Sequence, residues 1–344
     1  MRRLRVLLLA DTHLGFDLPH RPRVERRRRG PDFFANFERA LAPARRGEVD
    51  LVVHGGDVLF RSRVRRELVH RAFAPLVEVA GLGVPVVVVP GNHERSQIPF
   101  PLLAAHPQVH ILDRPRTVRL EAGGLAVAVA GFPFQRQEAR ARFPRLLAET
   151  GWRDAAARIR LLCLHQTVEG ARVGPSGYTF RGGADVVRGR DIPAGFAAVL
   201  AGHIHRRQVL TTDLAGRALA APVLYPGSIE RTSAAERHEP KGFFTLELRP
   251  GGAGGRLERW AFHELPARPM VDLEVAAAGL DAARLAARLQ SRLAAVDPDA
   301  VVRLTVIGEV APGAATVLGA ASLRSLAPPT MTLTLRRPRQ TPVR

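Results

Sequence analysis

Asp11-Thr12-His13, Gly55-Gly56-Asp57, Gly91-Asn92-His93-Glu94, the isolated His165 and Gly202-His203-Ile204-His205 offer carboxylate, imidazole and amide donors, each directly behind an apolar run. Taken singly, such groups are turn or cap residues in most chains. Five in succession, each at the end of an apolar strand, have no comparable packing explanation. In open α/β sheets ligands bind in the crevice beyond the carboxyl ends of the strands, so the five loops are expected to converge on one edge. The glycines let backbone approach a shared centre closely. Asp11 and His13 stand two apart in what reads as an extended segment, so both side chains point the same way and can grip one ion. Oxygen and nitrogen donors without a thiolate suit manganese, iron or zinc in a reactive site rather than a structural zinc.

The elements that must position these residues are short apolar strands alternating with amphipathic helices. Strands are predicted at 4–10, 50–54, 85–90, 125–130, 159–165 and 197–201, several of them continuous Val/Leu/Ala runs of the kind buried on both faces. Helices are predicted at 32–43 and 62–80, the second capped by Ser62 and interrupted by Pro75. This is an α/β layered pattern. Beyond residue 202 the chain turns strand-rich, at 207–213, 222–225, 242–248 and 256–264, with "RPGGAGG" (249–255) as a turn. "LPARP" (265–269) marks a boundary, after which strand 270–275, helix 281–293, strand 301–307 and strand 330–336 form a small α+β unit. The domain reading is therefore 1–265, 270–336 and a basic tail, 337–344.

The motif order D-x-H, G-D, G-N-H-E, H, G-H-x-H resembles the calcineurin-like metallophosphoesterases over roughly residues 4–230. Within that superfamily the chain is most similar to the bacterial SbcD-type DNA repair exonucleases, through "DTHLG" (11–15), "DFFANFERAL" (32–41) and "YPGSIER" (225–231). Residues 270–307 are similar to the small capping domain of that branch. The resemblance implies an α/β/β/α sandwich with a small α+β C-terminal cap. It also implies two divalent metal ions, manganese first, with iron or zinc as alternatives. Asp11, His13 and His205 would hold one ion, Asn92, His165 and His203 the other, and Asp57 would bridge them. His93 would bind phosphate or donate a proton, with Asp57 beside it in the catalytic set and Glu94 orienting His93. Where nuclease relatives often carry a His after the second motif, this chain has Arg61, a fixed cation that cannot act as an acid. A homodimer and an SMC-like coiled-coil ATPase subunit are the partners implied, although no amphipathic helical pair for a docking arm is evident after residue 307.

Charge points to a polyanion. The formal net charge is +19, and Lys241 is the only lysine among 51 basic residues, a skew that GC-rich coding would also produce. Location is more informative than the total: Arg26, Arg27, Arg28 and Arg29 follow the first motif, and Arg61 and Arg63 follow the second. Two arginine clusters flanking the expected metal edge favour contact with a phosphate backbone. Arg284, Arg288 and Arg292 read as a solvated helix stripe. Tyr178 and Phe180 either stack on a base or pin their Gly-rich loop. A single cysteine, Cys163, excludes an internal disulfide, and no apolar run approaches a membrane span, so a cytoplasmic protein is expected. The function these features predict is hydrolysis of DNA phosphodiesters at ends. The alternatives are a phosphoesterase for nucleotides or cyclic nucleotides, and a DNA-end-binding protein with little catalysis.

Overall fold

The computed structural model describes residues 2–17, 29–94 and 106–336. From the N-terminus, β1 (Leu4–Leu9), α1 (Gly30–Arg45), β2 (Leu51–His54), α2 (Arg66–Gly81), β3 (Val86–Val88) and β4 (Val109–Ile111) build one parallel layer with its helices. A second set follows with β5 (Arg116–Ala122), β6 (Leu125–Gly131), α3 (Ala139–Glu149) and β7 (Ile159–His165). Four two-residue strands come next, β8 (Thr167–Val168), β9 (Arg172–Val173), β10 (Tyr178–Thr179) and β11 (Val186–Val187). Then β12 (Ala198–Gly202), β13 (Gln208–Thr212) and β14 (Ala218–Tyr225) complete the second sheet. The hairpin β15 (Lys241–Arg249) and β16 (Arg256–Leu265) returns to the first.

The result is two six-stranded sheets, ordered β16-β15-β1-β2-β3-β4 and β13-β14-β12-β7-β6-β5. Side chains from both inner faces, among them Val6, Leu8, Val53, Val129, Leu161 and Leu200, form one continuous core. On the outer face of the second sheet, Leu162, Leu164 and Val199 pack with Phe143 and Leu147 of α3. Helices α1 and α2 lie against β1, β3 and β4 of the first sheet. The unit is thus an α/β/β/α sandwich. Strands covered on both faces carry runs of apolar residues, and β1 does so from Val6 to Leu9, beyond the exposed Arg5.

Parallel register brings the site-bearing loops together. Leu9 pairs with His54 and His54 with Val88, so β1, β2 and β3 end level with one another. In the other sheet Gly202 pairs directly with His165. The two sheets then close on each other at Gly55 and Gly202: a Cβ on Gly55 would lie 2.9 Å from the Gly202 nitrogen, and one on Gly202 would strike the Gly55 carbonyl. Only glycine fits this pinch.

Residues 268–336, together with Asp17 and Arg29, belong to a second compact unit. It contains β17 (Met270–Ala276), α4 (Ala282–Ala294), β18 (Val301–Ile307), α5 (Ala320–Leu326) and β19 (Thr332–Arg336), with all three strands parallel. Leu285, Leu289 and Leu293 are fully buried, and Arg284, Arg288 and Arg292 form the exposed stripe. The break between units falls between Ala267 and Arg268. After residue 307, a 3-10 turn and α5 bury Ala314, Val317 and Leu323 in this unit's core, which is why no docking arm is legible there.

Two local expectations fail. Ser62 does not cap α2, which starts at Arg66 behind Arg65, with no side-chain cap. Pro75 does not interrupt it either; the helix runs through to Gly81 with Ala72, Phe73, Leu76 and Val79 buried. One missing hydrogen bond is outweighed by the burial of that apolar face. The helix α3 and the strand β5 are elements that the sequence pattern did not reveal. The basic tail (337–344) lies outside the described residues.

Gly202→Ala is expected to lower the unfolding free energy by roughly 1–3 kcal/mol, the usual cost of overpacking. Gly251→Ala, at an open position with nothing within 4 Å, serves as the control and should leave the urea midpoint essentially unchanged.

Candidate metal centre

The loop after β1 lies along the loop after β2: the Asp11, His13 and Leu14 amides donate to the carbonyls of Gly56, Asp57 and Val58 at 2.9, 3.0 and 2.8 Å. Asp11, His13, Asp57 and His203 all adopt positive φ, at 51°, 42°, 53° and 88°. The Asp11–His13 stretch is therefore not the extended segment its spacing implied. It is kinked at both residues, with Thr12 between them held by its hydroxyl, which donates to the Val58 carbonyl at 3.1 Å. Left-handed backbone outside glycine costs on the order of 1 kcal/mol or more per residue, so surrounding contacts must hold these four in place. One such strut is His54. Its Nδ1 accepts from the Gly56 amide at 3.1 Å, which leaves Nε2–H to meet the Thr12 hydroxyl at 3.0 Å. Burial holds this imidazole neutral, with its pKa down at about 3.

Two buried carboxylates form the centre, Asp11 and Asp57. Asp57 Oδ2 is faced by three imidazoles, with Nε2 of His165 at 3.4 Å and Nε2 of His13 and His93 each at 3.9 Å. Its Oδ1 accepts from the His93 amide at 2.9 Å. Asp11 takes the His203 amide on both oxygens at 3.1 Å and lies 3.9 Å from His205 Nε2. His13 Nε2 and His205 Nε2 face each other at 2.9 Å. On the other side, Asn92 Oδ1 reaches both His165 Nε2 at 3.0 Å and His203 Nδ1 at 2.9 Å. Ligand atoms of Asp11, His13 and His205 lie mutually within 4.8 Å, as do those of His13, Asp57 and His93 and of Asp11, Asp57 and His165. The seven residues singled out as ligands thus lie in one place, with Asp57 in two of these three groups and Asn92 joining His165 and His203.

The electrostatics call for a cation. No Arg or Lys pairs with Asp11 or Asp57 among the described residues; their counter-groups are imidazoles. Burial pushes Asp11 up, whereas for Asp57 it is overcome by His165, His13 and His93, which hold the carboxyl low. His165 moves the other way: burial opposes its charge, but Asp57 and Asp11 raise its pKa. Burial depresses His13 and also His203, the latter to about 3, keeping them neutral donors of lone pairs. Buried carboxylates ringed by imidazole nitrogens and an amide oxygen, with no guanidinium or ammonium beside them among the described residues, fit divalent cations, since burying a carboxylate costs several kcal/mol unless a charge answers it.

Glu94 does not orient the His93 ring as expected. Its carboxylate accepts three backbone amides, Asp57 at 3.1 Å, Leu59 at 2.8 Å and Gly91 at 2.8 Å, tying the second and third loops together. Burial, with Asp57 nearby, raises its pKa to about 7. The His93 ring is fixed instead by Nδ1 donating to the Phe60 carbonyl at 2.6 Å, which turns Nε2 toward Asp57. The loop after His165 is braced by Tyr225, whose hydroxyl donates to the Gln166 carbonyl at 2.8 Å and accepts the Val168 amide at 2.9 Å.

Sequence reasoning missed Glu236 and Lys241. Glu236 Oε1 lies 3.1 Å from His205 Nδ1, and Lys241, fully buried, lies 2.6 Å from Glu236 Oε2. Neither belongs to a metal-type motif; the signal available was that Lys241 is the chain's only lysine. A cavity of about 350 Å³ opens beside His203 and His205, lined also by Val173, Arg206, Ser233 and Glu239.

Of the arginines expected to contact DNA, Arg61 and Arg63 are exposed. The Arg61 guanidinium lies 5.6 Å from the centre of the Phe60 ring, which also flanks His13 and His93. Arg29 is buried, so it does not present its charge to a phosphate backbone. Arg26, Arg27 and Arg28 lie outside the described residues. Tyr178 is exposed and meets Phe180 edge-on at 5.2 Å.

A family model described as calcineurin-like phosphoesterase matches residues 4–207. The DNA double-strand break repair protein Mre11 of Haloferax volcanii is 39% identical over 93 residues, 27% of this chain and 20% of that protein. The Mre11 of Methanopyrus kandleri is 25% identical over 266 residues, 72% of this chain and 55% of that one. The chain therefore spans about half or less of the length of these relatives. A dimetal phosphatase structure from Danio rerio aligns with 75% of the chain and 99% of its own at 15% identity, with a TM-score of 0.42.

Glu94→Ala is expected to cost about 3 kcal/mol or more, since three buried amides lose their acceptor at roughly 1–3 kcal/mol each. Urea unfolding measures it, and Glu94→Asp should recover only part, the carboxylate being one methylene short.

Proposed function

Because this chain belongs to the calcineurin-like phosphoesterase family, matched over more than half its length, we propose that it is a dinuclear metal-dependent phosphodiesterase that cleaves DNA at ends. The observation that carries the reading is the buried Asp57 carboxylate, whose ligand atoms lie within reach both of His13 and His93 and of Asp11 and His165. Asp11, His13 and His205 would hold one ion and Asn92, His165 and His203 the other, with Asp57 serving both. Manganese is the ion proposed, consistent with a mixed N/O set lacking thiolate. When bound, the two ions would neutralise charge on the phosphoryl group and activate water for in-line displacement.

The protein's own groups do the rest. Asp57 and Asp11 set the local negative charge that draws cations in and keeps them close. His93 presents Nε2 into the site because its Nδ1 proton is committed to Phe60. Protonated at Nε2, it can give that proton to the leaving oxygen. Arg61 and Arg63 supply positive charge beside the site for the DNA backbone. The similarity to Mre11 supports DNA as the substrate. A homodimer and a coiled-coil ATPase partner are included in the proposal on the SbcD-type resemblance.

Metal-stripped protein given Mn²⁺ is expected to degrade linear DNA and to stop on addition of EDTA, with Asp57→Asn inactive. Turnover of a chromogenic phosphodiester alone, with linear duplex and single-stranded DNA both left intact, would reassign the substrate to small esters.

His93→Ala is expected to retain both ions by elemental analysis while losing about 10²–10⁴-fold in kcat. Loss of metal in that variant would instead make His93 a ligand.

A further inference from the structure

Behind His205 lies a group of side chains joined by hydrogen bonds. Glu236 accepts from the Thr232 hydroxyl at 2.6 Å and faces His205 Nδ1 at 3.1 Å. The Lys241 ammonium donates to Glu236 Oε2 at 2.6 Å, to Ser228 Oγ at 2.9 Å and to the backbone carbonyl of His205 at 3.0 Å. An ammonium has three protons, and all three are used. The ring and the backbone of His205 are thus gripped by the same ion pair.

We propose that Glu236 and Lys241 are positioning residues for His205, fixing its ring so that Nε2 offers a lone pair to the ion shared with Asp11 and His13. The inference rests on the two-ion reading above. Its logic is that of any metal-bound imidazole whose second nitrogen is tied down: Glu236, acceptor-only when ionised, requires the proton on Nδ1 and so frees Nε2. Lys241 pairs with that carboxylate and holds the His205 carbonyl from behind. The choice of lysine follows from its shape. Every other Lys/Arg position in this chain is arginine, yet a guanidinium spreads its donors over a plane, whereas here one nitrogen meets three acceptors. Codon bias toward arginine is overridden where geometry demands an ammonium.

The test is Mn²⁺ titration of the full chain by calorimetry, with electron paramagnetic resonance to distinguish paired from single ions. Wild type should bind two ions with a spin-coupled signal. Glu236→Ala should keep one at wild-type affinity and bind the other about 10–100-fold more weakly, its spectrum passing to that of an isolated ion at limiting metal. Glu236→Gln, which preserves volume, carries the same comparison if the alanine variant does not fold. Lys241→Arg should shift binding in the same direction rather than substitute. Two full-affinity ions in the Glu236 variants, together with loss of one in His205→Ala, would overturn the positioning role while leaving the two-ion reading intact. Two full-affinity ions in His205→Ala itself would overturn that reading and this inference with it.

Discussion

The structure is organised around the burial of Asp11 and Asp57 where the edges of two sheets meet, with histidines rather than arginines or lysines for company. Taking a carboxylate out of water costs several kcal/mol unless a charge or strong hydrogen bonds answer it. Here backbone amides answer part of it, and the imidazole nitrogens around Asp57 Oδ2 leave room for cations to answer the remainder. Four residues of this centre are held at left-handed backbone angles. Such a concentration of strain persists only where neighbouring contacts over-determine it. The ties from Glu94, His54 and Thr12 are those contacts, and the glycines at 55, 91 and 202 let the loops come close enough to make them.

The cations of the chain are divided by environment. Arg61 and Arg63 are exposed, so their guanidinium groups stay hydrated. The one lysine is buried behind a metal-type histidine and makes no surface contact at all. Composition read as a total reports affinity for polyanions or coding bias; read residue by residue it separates exposed arginines from an internal support. Glu236 borders the cavity next to His203 and His205 and also receives the lysine.

Most of the framework is legible in the sequence. Strands buried on both faces advertise themselves as continuous apolar runs, and the five donor groups stand at their ends in the order that parallel strands require. That Asp11, His13, Asp57, Asn92, His165, His203 and His205 share one site followed from that order and from the family resemblance. Less legible were elements with weaker patterns, such as α3, whose buried face is only Ala139, Phe143, Leu146 and Leu147. The start of α2 was misplaced because Ser62 looks like a cap, whereas burial of the helix's apolar face, not a cap, decides where it forms.

What the sequence determined by itself is the inventory: which donors exist, at which strand ends, and with what hydrophobic periodicity behind them. These depend on local chemistry and spacing, which a linear chain displays. Tertiary structure alone decided which donor faces which. It turned Glu94 from a partner of the His93 ring into an acceptor for three amides, kinked Asp11 and His13 out of an extended strand, and brought Glu236 and Lys241 behind His205. Those outcomes depend on contacts between residues far apart in the chain, selected by whether a buried polar atom finds a partner, and no local pattern encodes them.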